Sequence, residues 1–328
     1  MTSNTTRASL NLSSLFALAA LSLTPGCSLS SVGVKPSPLG EASSTERVIE
    51  AVRQPAGVVR FERVEAADWA VDRAGLINLD HPRAEGLEEG LEPIVIPFYV
   101  IEHPAHGRFL IDSGVAASFR DPETAPVSGL VASEMNMDRL VVRQDTRTWL
   151  ADAGPVKGVF LTHLHLDHIM GLPDVPLDVP VYTGPGETSA TSFINLFVRG
   201  VTDDLVHRDR VLYEWDFAPD PQRRFEGVVD VFGDGSVFAL HTPGHTPGHT
   251  SYLVRTAEGA HLVVGDASHT EWGWTRCVEP GQFSSDIPES VVSLRRLRGL
   301  ADATPAVTVH LGHQHHDAGG DHQDCPAP

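Results

Sequence analysis

The chain has few cysteines, few basic residues and little uninterrupted apolar sequence. Its three cysteines lack the C-x-x-C spacing of a thiolate zinc site, which excludes that class of site. Lysine and arginine number 24 against 43 acidic residues, and the net charge of −19 disfavours nucleic acid as a partner. The most apolar stretch, Leu10 to Leu23, is interrupted by asparagine and serine and is too short to predict a membrane-spanning helix.

Residues 1–26 instead have the features of an export signal. Arg7 precedes the apolar stretch, and Pro25-Gly26-Cys27 follows it. A small residue directly before a cysteine resembles the cleavage site of bacterial lipoproteins, although Thr24 replaces the usual aliphatic residue. We therefore predict a signal peptide over residues 1–26 and export to the periplasm or envelope. Membrane attachment through a lipidated Cys27 is the favoured form, and ordinary cleavage nearby is the alternative.

The remaining sequence divides into a tether, one domain and a tail. Residues 27–54 are rich in serine, proline and glycine and predict a flexible tether. Residues 55–316 are long enough for one domain with a substantial core, and residues 317–328 form a C-terminal tail. Cys277 and Cys325 are an even pair that an oxidising compartment would allow to bridge. We also expect a helix over residues 187–199, and histidines 315, 316 and 322 on a solvated tail.

A dense group of metal-ligand residue types follows the apolar run 156–161. His163, His165 and Asp167 alternate along the chain, so extended backbone would direct them to one side. A turn into a helix would then bring His168 beside them. Together these residues exceed what a single tetrahedral zinc with an open position requires. The pattern therefore suggests two metal ions that share ligands from elsewhere in the chain.

This motif resembles the signature of the metallo-β-lactamase superfamily in its dinuclear hydrolase branches. Four further segments match that family in order: Leu110-Ile111-Asp112-Ser113-Gly114, Thr242-Pro243-Gly244-His245, Val264-Gly265-Asp266 and Leu311-Gly312-His313. The resemblance spans roughly residues 55–316. It implies an α/β fold, the four-layer αββα sandwich of two mixed sheets, with the ligands on loops at one edge.

The resemblance also implies a ligand set for two divalent metal ions. One ion would be held by His163, His165 and His245, the other by Asp167, His168 and His313, with Asp266 joining them. Zinc suits these nitrogen and oxygen ligands best, and iron, manganese or cobalt would also fit. His310 is the alternative to His313. Asp112 would orient the ligands from outside, or simply cap its turn.

The implied activity is hydrolysis of a small-molecule substrate. A hydroxide bridging two cations would attack a carbonyl carbon, and Asp167 would guide a proton to the leaving group. The duplicated TPGH loop, the run that begins at Asp266 and the helix before His313 resemble N-acyl-homoserine lactonases. Those enzymes carry a tyrosine where this chain has His269. We therefore predict that His269 assists the carbonyl oxygen, with a surface histidine as the alternative.

Other functions remain compatible with the same ligands. The alternatives are another small-molecule metallohydrolase, namely an esterase, thioesterase, β-lactamase or phosphodiesterase, and a noncatalytic exported metal-binding protein. The acidic net charge argues against large nucleic acids as substrates but not against small phosphoesters. Turnover of lactone, ester and phosphodiester substrates would discriminate among these classes.

Overall fold

The computed structural model describes residues 27–54, 59–192, 194–304, 306–317 and 323–326. The predicted signal peptide, residues 1–26, therefore lies outside the described residues. The strands are β1 Cys27–Ser28, β2 Gly33–Pro36, β3 Glu41–Ala42, β4 Arg60–Asp72, β5 Leu91–His103, β6 Gly107–Ile111, β7 Val141–Val142, β8 Gly158–Phe160, β9 Val181–Thr183, β10 Thr191–Ser192, β11 Val211–Glu214, β12 Val228–Asp230, β13 Val237–His241, β14 Thr250–Arg255, β15 Ala260–Gly265 and β16 Val307–Leu311. The α-helices are α1 Thr45–Arg53, α2 Arg73–Leu76, α3 Gly129–Glu134, α4 Thr146–Ala153, α5 Leu166–Ile169, α6 Asn195–Val206, α7 Glu271–Arg276 and α8 Ile287–Ala303. Across these ranges, no helix has the length and apolar character needed to cross a membrane.

Two large mixed sheets form the centre of the molecule. One has eight strands in the order β2-β11-β9-β8-β6-β5-β4-β7, and the other has six in the order β16-β15-β14-β13-β12-β3. Side chains from both sheets share one buried cluster, in which Phe160 of the first sheet and Tyr252 of the second lie 6.0 Å apart between ring centroids. The two sheets therefore pack face to face.

Helices cover the outer faces of both sheets. On the six-stranded sheet, Leu294, Leu297 and Leu300 of α8 lie in one buried cluster with strand residues. Asp286 caps this helix by accepting the backbone N–H of Glu289 at 2.9 Å. A second buried cluster covers the outer face of the eight-stranded sheet. The predicted four-layer αββα sandwich of α/β class is confirmed.

The prediction of a flexible tether over residues 27–54 is wrong. Strand β2 pairs in parallel with β11, and β3 pairs antiparallel with β12, so this segment adds an edge strand to each large sheet. Helix α1 buries Val48 and Ala51 beneath the six-stranded sheet. Serine-rich composition is misleading here because the serines cap a helix and bond to buried carboxylates, rather than remaining solvated.

The chain end is also attached to the domain. Cys277 and Cys325 form a disulfide with Cα atoms 5.3 Å apart. The expectation of a solvated position is wrong for His316, whose side chain is 6% exposed and bonds Glu271 at 2.7 Å. His315 is exposed, as expected, and bonds Glu65. His322 lies outside the described residues.

The helix expected over residues 187–199 begins later. Residues from Glu187 to Ala190 form a turn, β10 pairs with β1, and α6 starts only at Asn195. The carboxylate of Glu187 is buried and accepts backbone N–H groups of other loops, which holds this turn out of a helix. A tertiary contact overrides the local helical pattern.

Candidate metal centre

The ligand-bearing loops begin where central strands end. Strand β8 ends at Phe160, and the chain then passes His163 and His165 before α5 begins at Leu166. This turn places Asp167 and His168 on the first turn of α5. The sequence predicted the helix for His168 but extended backbone for Asp167. Strand β15 ends at Gly265 and presents Asp266, and β16 ends at Leu311 just before His313.

The structure brings all seven predicted metal ligands together in two groups. In each group the candidate ligand atoms lie within 4.8 Å of one another. The first group is His163, His165, His245 and Asp266, and the second is Asp167, His168, Asp266 and His313. Asp266 belongs to both groups, the position expected of a carboxylate that joins two cations. His310 belongs to neither, because its ring contacts His261 at 3.1 Å instead.

Several imidazole nitrogens surround one carboxylate at the centre of the site. The Nε2 atoms of His168, His269 and His245 lie 3.3, 3.2 and 3.4 Å from Asp266 Oδ2. Burial favours the neutral carboxyl of Asp266, but the surrounding histidines outweigh it and hold its pKa well below the usual value. Burial likewise lowers the pKa of His165 to about 4. These groups are therefore set up as lone-pair donors.

Unpartnered buried atoms provide a test of whether this donor set fits a metal ion. Among the described residues, His163 Nε2, Asp266 Oδ1 and His269 Nε2 are buried and have no hydrogen-bond partner. Leaving such atoms unsatisfied costs free energy, on the order of 1–3 kcal/mol each. Cations held between the two groups would satisfy the first two. The residues present therefore fit a pair of divalent ions.

Groups outside the ligand set fix the orientation of the rings. Asp112 Oδ2 accepts a hydrogen bond from His168 Nδ1 at 2.9 Å, and its Oδ1 accepts the N–H of Thr162 at 2.7 Å. His313 Nδ1 donates to the carbonyl oxygen of Val95 at 3.0 Å. The two ring contacts direct Nε2 of His168 and of His313 towards Asp266. The orienting role expected of Asp112 is what its contacts provide.

His249 supports the centre from within the TPGH loop. Its Nε2 accepts the backbone N–H of Asp266 at 3.0 Å, and its Nδ1 lies 2.9 Å from Thr242 Oγ1. His241, the other additional histidine of this loop, bonds the carbonyl oxygen of Pro247 and stacks on Phe217, away from the ligands. The two histidines around His245 therefore differ, and only His249 contacts a ligand residue.

His269 lies inside the centre rather than on the surface. Its side chain is 1% exposed, and its ring stacks on that of His313 with centroids 5.6 Å apart. His269 Nδ1 donates to the carbonyl oxygen of Leu76 at 2.9 Å, because a carbonyl oxygen can only accept. In the neutral ring Nε2 therefore carries a lone pair, and it donates a hydrogen bond only in the protonated ring.

Sequence reasoning missed Glu187 as part of this region. It is fully buried and bonds backbone groups of two ligand-bearing loops. The sequence signal available was a Gly-Pro-Gly turn directly after β9, which breaks any helix that would start there.

Comparisons with known proteins agree with this architecture. Residues 91–313 match the model of the metallo-beta-lactamase superfamily. The chain is 30% identical over 226 residues to the N-acyl homoserine lactonase AttM of Rhizobium johnstonii, covering 67% of this chain and 82% of that protein. It is 26% identical over 250 residues to the gamma-lactamase FDB1 of Fusarium pseudograminearum, covering 67% of this chain and 58% of that protein.

A solved structure supports the fold. A quorum-quenching N-acyl homoserine lactone lactonase superposes with a TM-score of 0.58 at 20% identity, covering 79% of this chain and 93% of that chain. Residues 91–313, which match the family model, contain every candidate ligand from His163 to His313. The chain belongs to the metallo-β-lactamase superfamily of metallohydrolases and is related in sequence to N-acyl homoserine lactonases.

Proposed function

We propose that this protein is a dinuclear metallohydrolase that opens the lactone ring of an N-acyl-homoserine lactone. The observation that carries the proposal is the pair of ligand groups sharing Asp266, in a chain related to AttM lactonases over 82% of their length. The shared carboxylate supports two ions rather than one. The AttM relatives are lactonases, and this similarity favours an ester as the substrate class.

The seven candidate ligands would hold the two ions, and zinc is the metal that these nitrogen and oxygen donors favour most. Two adjacent divalent cations supply Lewis acidity to the carbonyl and activate water at neutral pH. Opening the ring adds one water across the ester. The hydroxyl group ends on the acyl carbon, the ring C–O bond breaks, and the leaving alkoxide takes a proton.

Asp167 is placed to transfer that proton to the leaving oxygen. Its side chain is 14% exposed, against 4% for Asp266, so it is the more accessible carboxylate of the centre. Its Oδ2 also lies 3.2 Å from His313 Nε2, which keeps it beside the second ligand group. A partly exposed carboxylate in the centre can take the proton released by the attacking water and pass it to the departing oxygen.

His269 takes the place of the tyrosine that the related lactonases carry. A donor near the substrate carbonyl stabilises the charge that develops on its oxygen. Because Nδ1 is committed to Leu76, any hydrogen bond from the ring to that oxygen comes from Nε2. The role proposed from the sequence is retained, with Nε2 as its donor atom.

A lactam is the second candidate substrate. The similarity to gamma-lactamase FDB1 favours it, although this chain covers only 58% of that protein's length. The same centre would attack an amide carbonyl, whose leaving nitrogen needs a proton more than an alkoxide does. Cleavage of a lactam would therefore depend more on proton transfer by Asp167 than cleavage of a lactone would.

The test is turnover by the zinc-loaded full-length chain. We expect an N-acyl-homoserine lactone to gain the mass of one water with release of a proton, far faster than a γ-lactam, a β-lactam, a glutathione thioester or a phosphodiester is cleaved. Preferential turnover of the γ-lactam would replace the lactone with the second candidate. Turnover of simple aryl esters alone would retain the hydrolase and reject the lactonase.

We also propose that the protein is exported and anchored through Cys27. In support, Cys27 is half-buried and is the free cysteine of the described residues, since Cys277 and Cys325 pair with each other. Mass spectrometry of protein from its native envelope should show loss of residues 1–26 and a lipid-modified Cys27. A mature protein that starts elsewhere and carries no lipid would contradict the anchor but not export. Cytosolic protein that retains Met1 would contradict both export and the anchor.

A further inference from the structure

Glu187 is a buried carboxylate that the proposed reaction does not use. Its side chain has no solvent exposure, and it lies on the turn after β9, outside both ligand groups. Burial raises its pKa to about 6, and the group is therefore a carboxylate at pH 8. A buried carboxylate is costly unless its oxygens are bonded, so the identity of its partners matters.

The two carboxylate oxygens reach two different loops. Oε2 accepts the backbone N–H of Leu164 at 2.9 Å, and Oε1 accepts that of Gly248 at 2.8 Å. Leu164 lies between His163 and His165. Gly248 lies on the TPGH loop, three residues after His245. The three imidazoles of the first ligand group therefore come from the two loops that Glu187 joins.

Close backbone packing holds the turn against the TPGH loop. A Cβ atom at Gly184 would collide with the carbonyl oxygen of Gly248, and one at Gly248 would lie 2.6 Å from the carbonyl oxygen of Pro185. Glycine at both positions lets the two backbones approach this closely. The turn that carries Glu187 is therefore packed directly against the TPGH loop.

We propose that Glu187 is a positioning residue that sets the spacing of the first ligand group by bonding both of its loops, and so controls the affinity of that metal position alone. The inference rests on the proposed dinuclear function. The second group draws its other ligands from α5 and from the loop after β16, which Glu187 does not bond. The effect should therefore fall on one metal ion of the two.

The variant Glu187→Gln tests this because glutamine has nearly the same shape. Its amide has one acceptor oxygen, so it can satisfy one backbone N–H while placing its own N–H₂ against the other. Asp220→Asn is the matched control. Asp220 is also buried and accepts backbone N–H groups, of Thr45 at 2.9 Å and Arg224 at 3.0 Å, but neither belongs to a ligand loop.

The experiment measures zinc retained by full-length protein after dialysis against increasing chelator at pH 8. For Glu187→Gln we expect one equivalent to dissociate at a chelator concentration about tenfold to a hundredfold lower than in the parent, and the other to be unchanged. Asp220→Asn should follow the parent. An unchanged curve for Glu187→Gln, or an equal shift of both equivalents, would overturn the positioning role.

A double variant tests whether the weakened ion belongs to the first ligand group. His313→Ala removes a ligand of the second group, and adding Glu187→Gln should then weaken the zinc that remains. If Glu187→Gln does not fold without metal, Glu187→Asp keeps the charge but is too short to bond both loops, and it should show the same selective loss. A parent chain that binds fewer than two equivalents would instead defeat the proposed function itself.

Discussion

His269 has one ring nitrogen committed outside the metal centre and the other directed into it. The Nδ1 bond to Leu76 fixes the ring, while Nε2 lies 3.2 Å from Asp266 Oδ2. His269 is not needed to complete either ligand group. The proposed role of His269 therefore concerns the substrate and not metal binding.

The corresponding prediction is a loss of turnover without a loss of metal. His269→Ala removes the only proposed donor to the carbonyl oxygen, and lactone turnover should fall about a hundredfold. Zinc content, measured by elemental analysis, should stay at the parent value. His241→Ala is the control, since the His241 side chain bonds the carbonyl oxygen of Pro247 and belongs to neither ligand group. Intact turnover in His269→Ala would remove the residue from the mechanism.

The residues of the centre were predictable to the extent that their signal is local. His163, His165, Asp167 and His168 lie within one short segment, and the structure brings them together through a loop and the first turn of α5 rather than through an extended strand. The assignment of His245, Asp266 and His313 came from the family resemblance. Glu187 was not predictable because its role depends on Gly248, which is distant in sequence and is close only in the folded chain.

At the scale of elements, the N-terminal segment is held by a second buried carboxylate. Asp203 on α6 accepts the hydroxyl of Ser30 at 2.6 Å and the backbone N–H of Ser31 at 2.8 Å. Burial opposes ionisation, but these bonds outweigh it, so the pKa of Asp203 lies below its usual value. The stabilisation is therefore present above the unfolded pKa, near 3.9, and is lost as pH falls through the folded value.

This contact predicts that Asp203→Asn loosens the segment. Replacing a carboxylate that accepts several bonds should cost about 2 kcal/mol of local stability. Limited proteolysis should then cut near residues 28–36 faster than in the parent at pH 7. The difference should shrink as pH falls through the lowered folded pKa of Asp203, where the parent carboxylate becomes protonated. Asp204→Asn is the control, because Asp204 is exposed and pairs only with Arg208. Equal cleavage of both variants would contradict the role of Asp203.

The elements that sequence predicted well are those whose packing follows their own pattern. Helix α8 has a capping aspartate, an early proline and leucines at helical spacing, and it forms as expected. Strands β2 and β3 in the segment 27–54 have no such pattern, because they are edge strands that pair with β11 and β12 much later in the chain. Composition alone could not distinguish these strands from a tether.

At the scale of the whole molecule, metal binding and folding should be coupled. The candidate ligands come from four separate loops, so they converge only in the folded chain. Metal that binds the folded state alone raises the free energy of unfolding, by about 2.7 kcal/mol when free metal is a hundredfold above its dissociation constant. The parent should bind two zinc equivalents, and removing them should lower the melting temperature.

Asp266→Ala should reduce both effects at once, because this carboxylate belongs to both ligand groups. Elemental analysis and thermal denaturation with and without zinc provide the measurements. His310→Ala is the control, since His310 contacts His261 and lies outside both groups. A parent chain that binds one equivalent with full turnover would reject the dinuclear centre.

The position of β2 and β3 also constrains when the molecule can fold during synthesis. Gly33 pairs with Val211, and Ala42 pairs with Val229. Both large sheets therefore lack an edge strand until most of the chain has left the ribosome. Pairings between such distant segments form slowly, since a long loop must close before any contact is gained. Residues 33–42 are therefore among the last to find their partners, although they precede those partners in the chain. Neither large sheet can be completed before β11 and β12 have been synthesised.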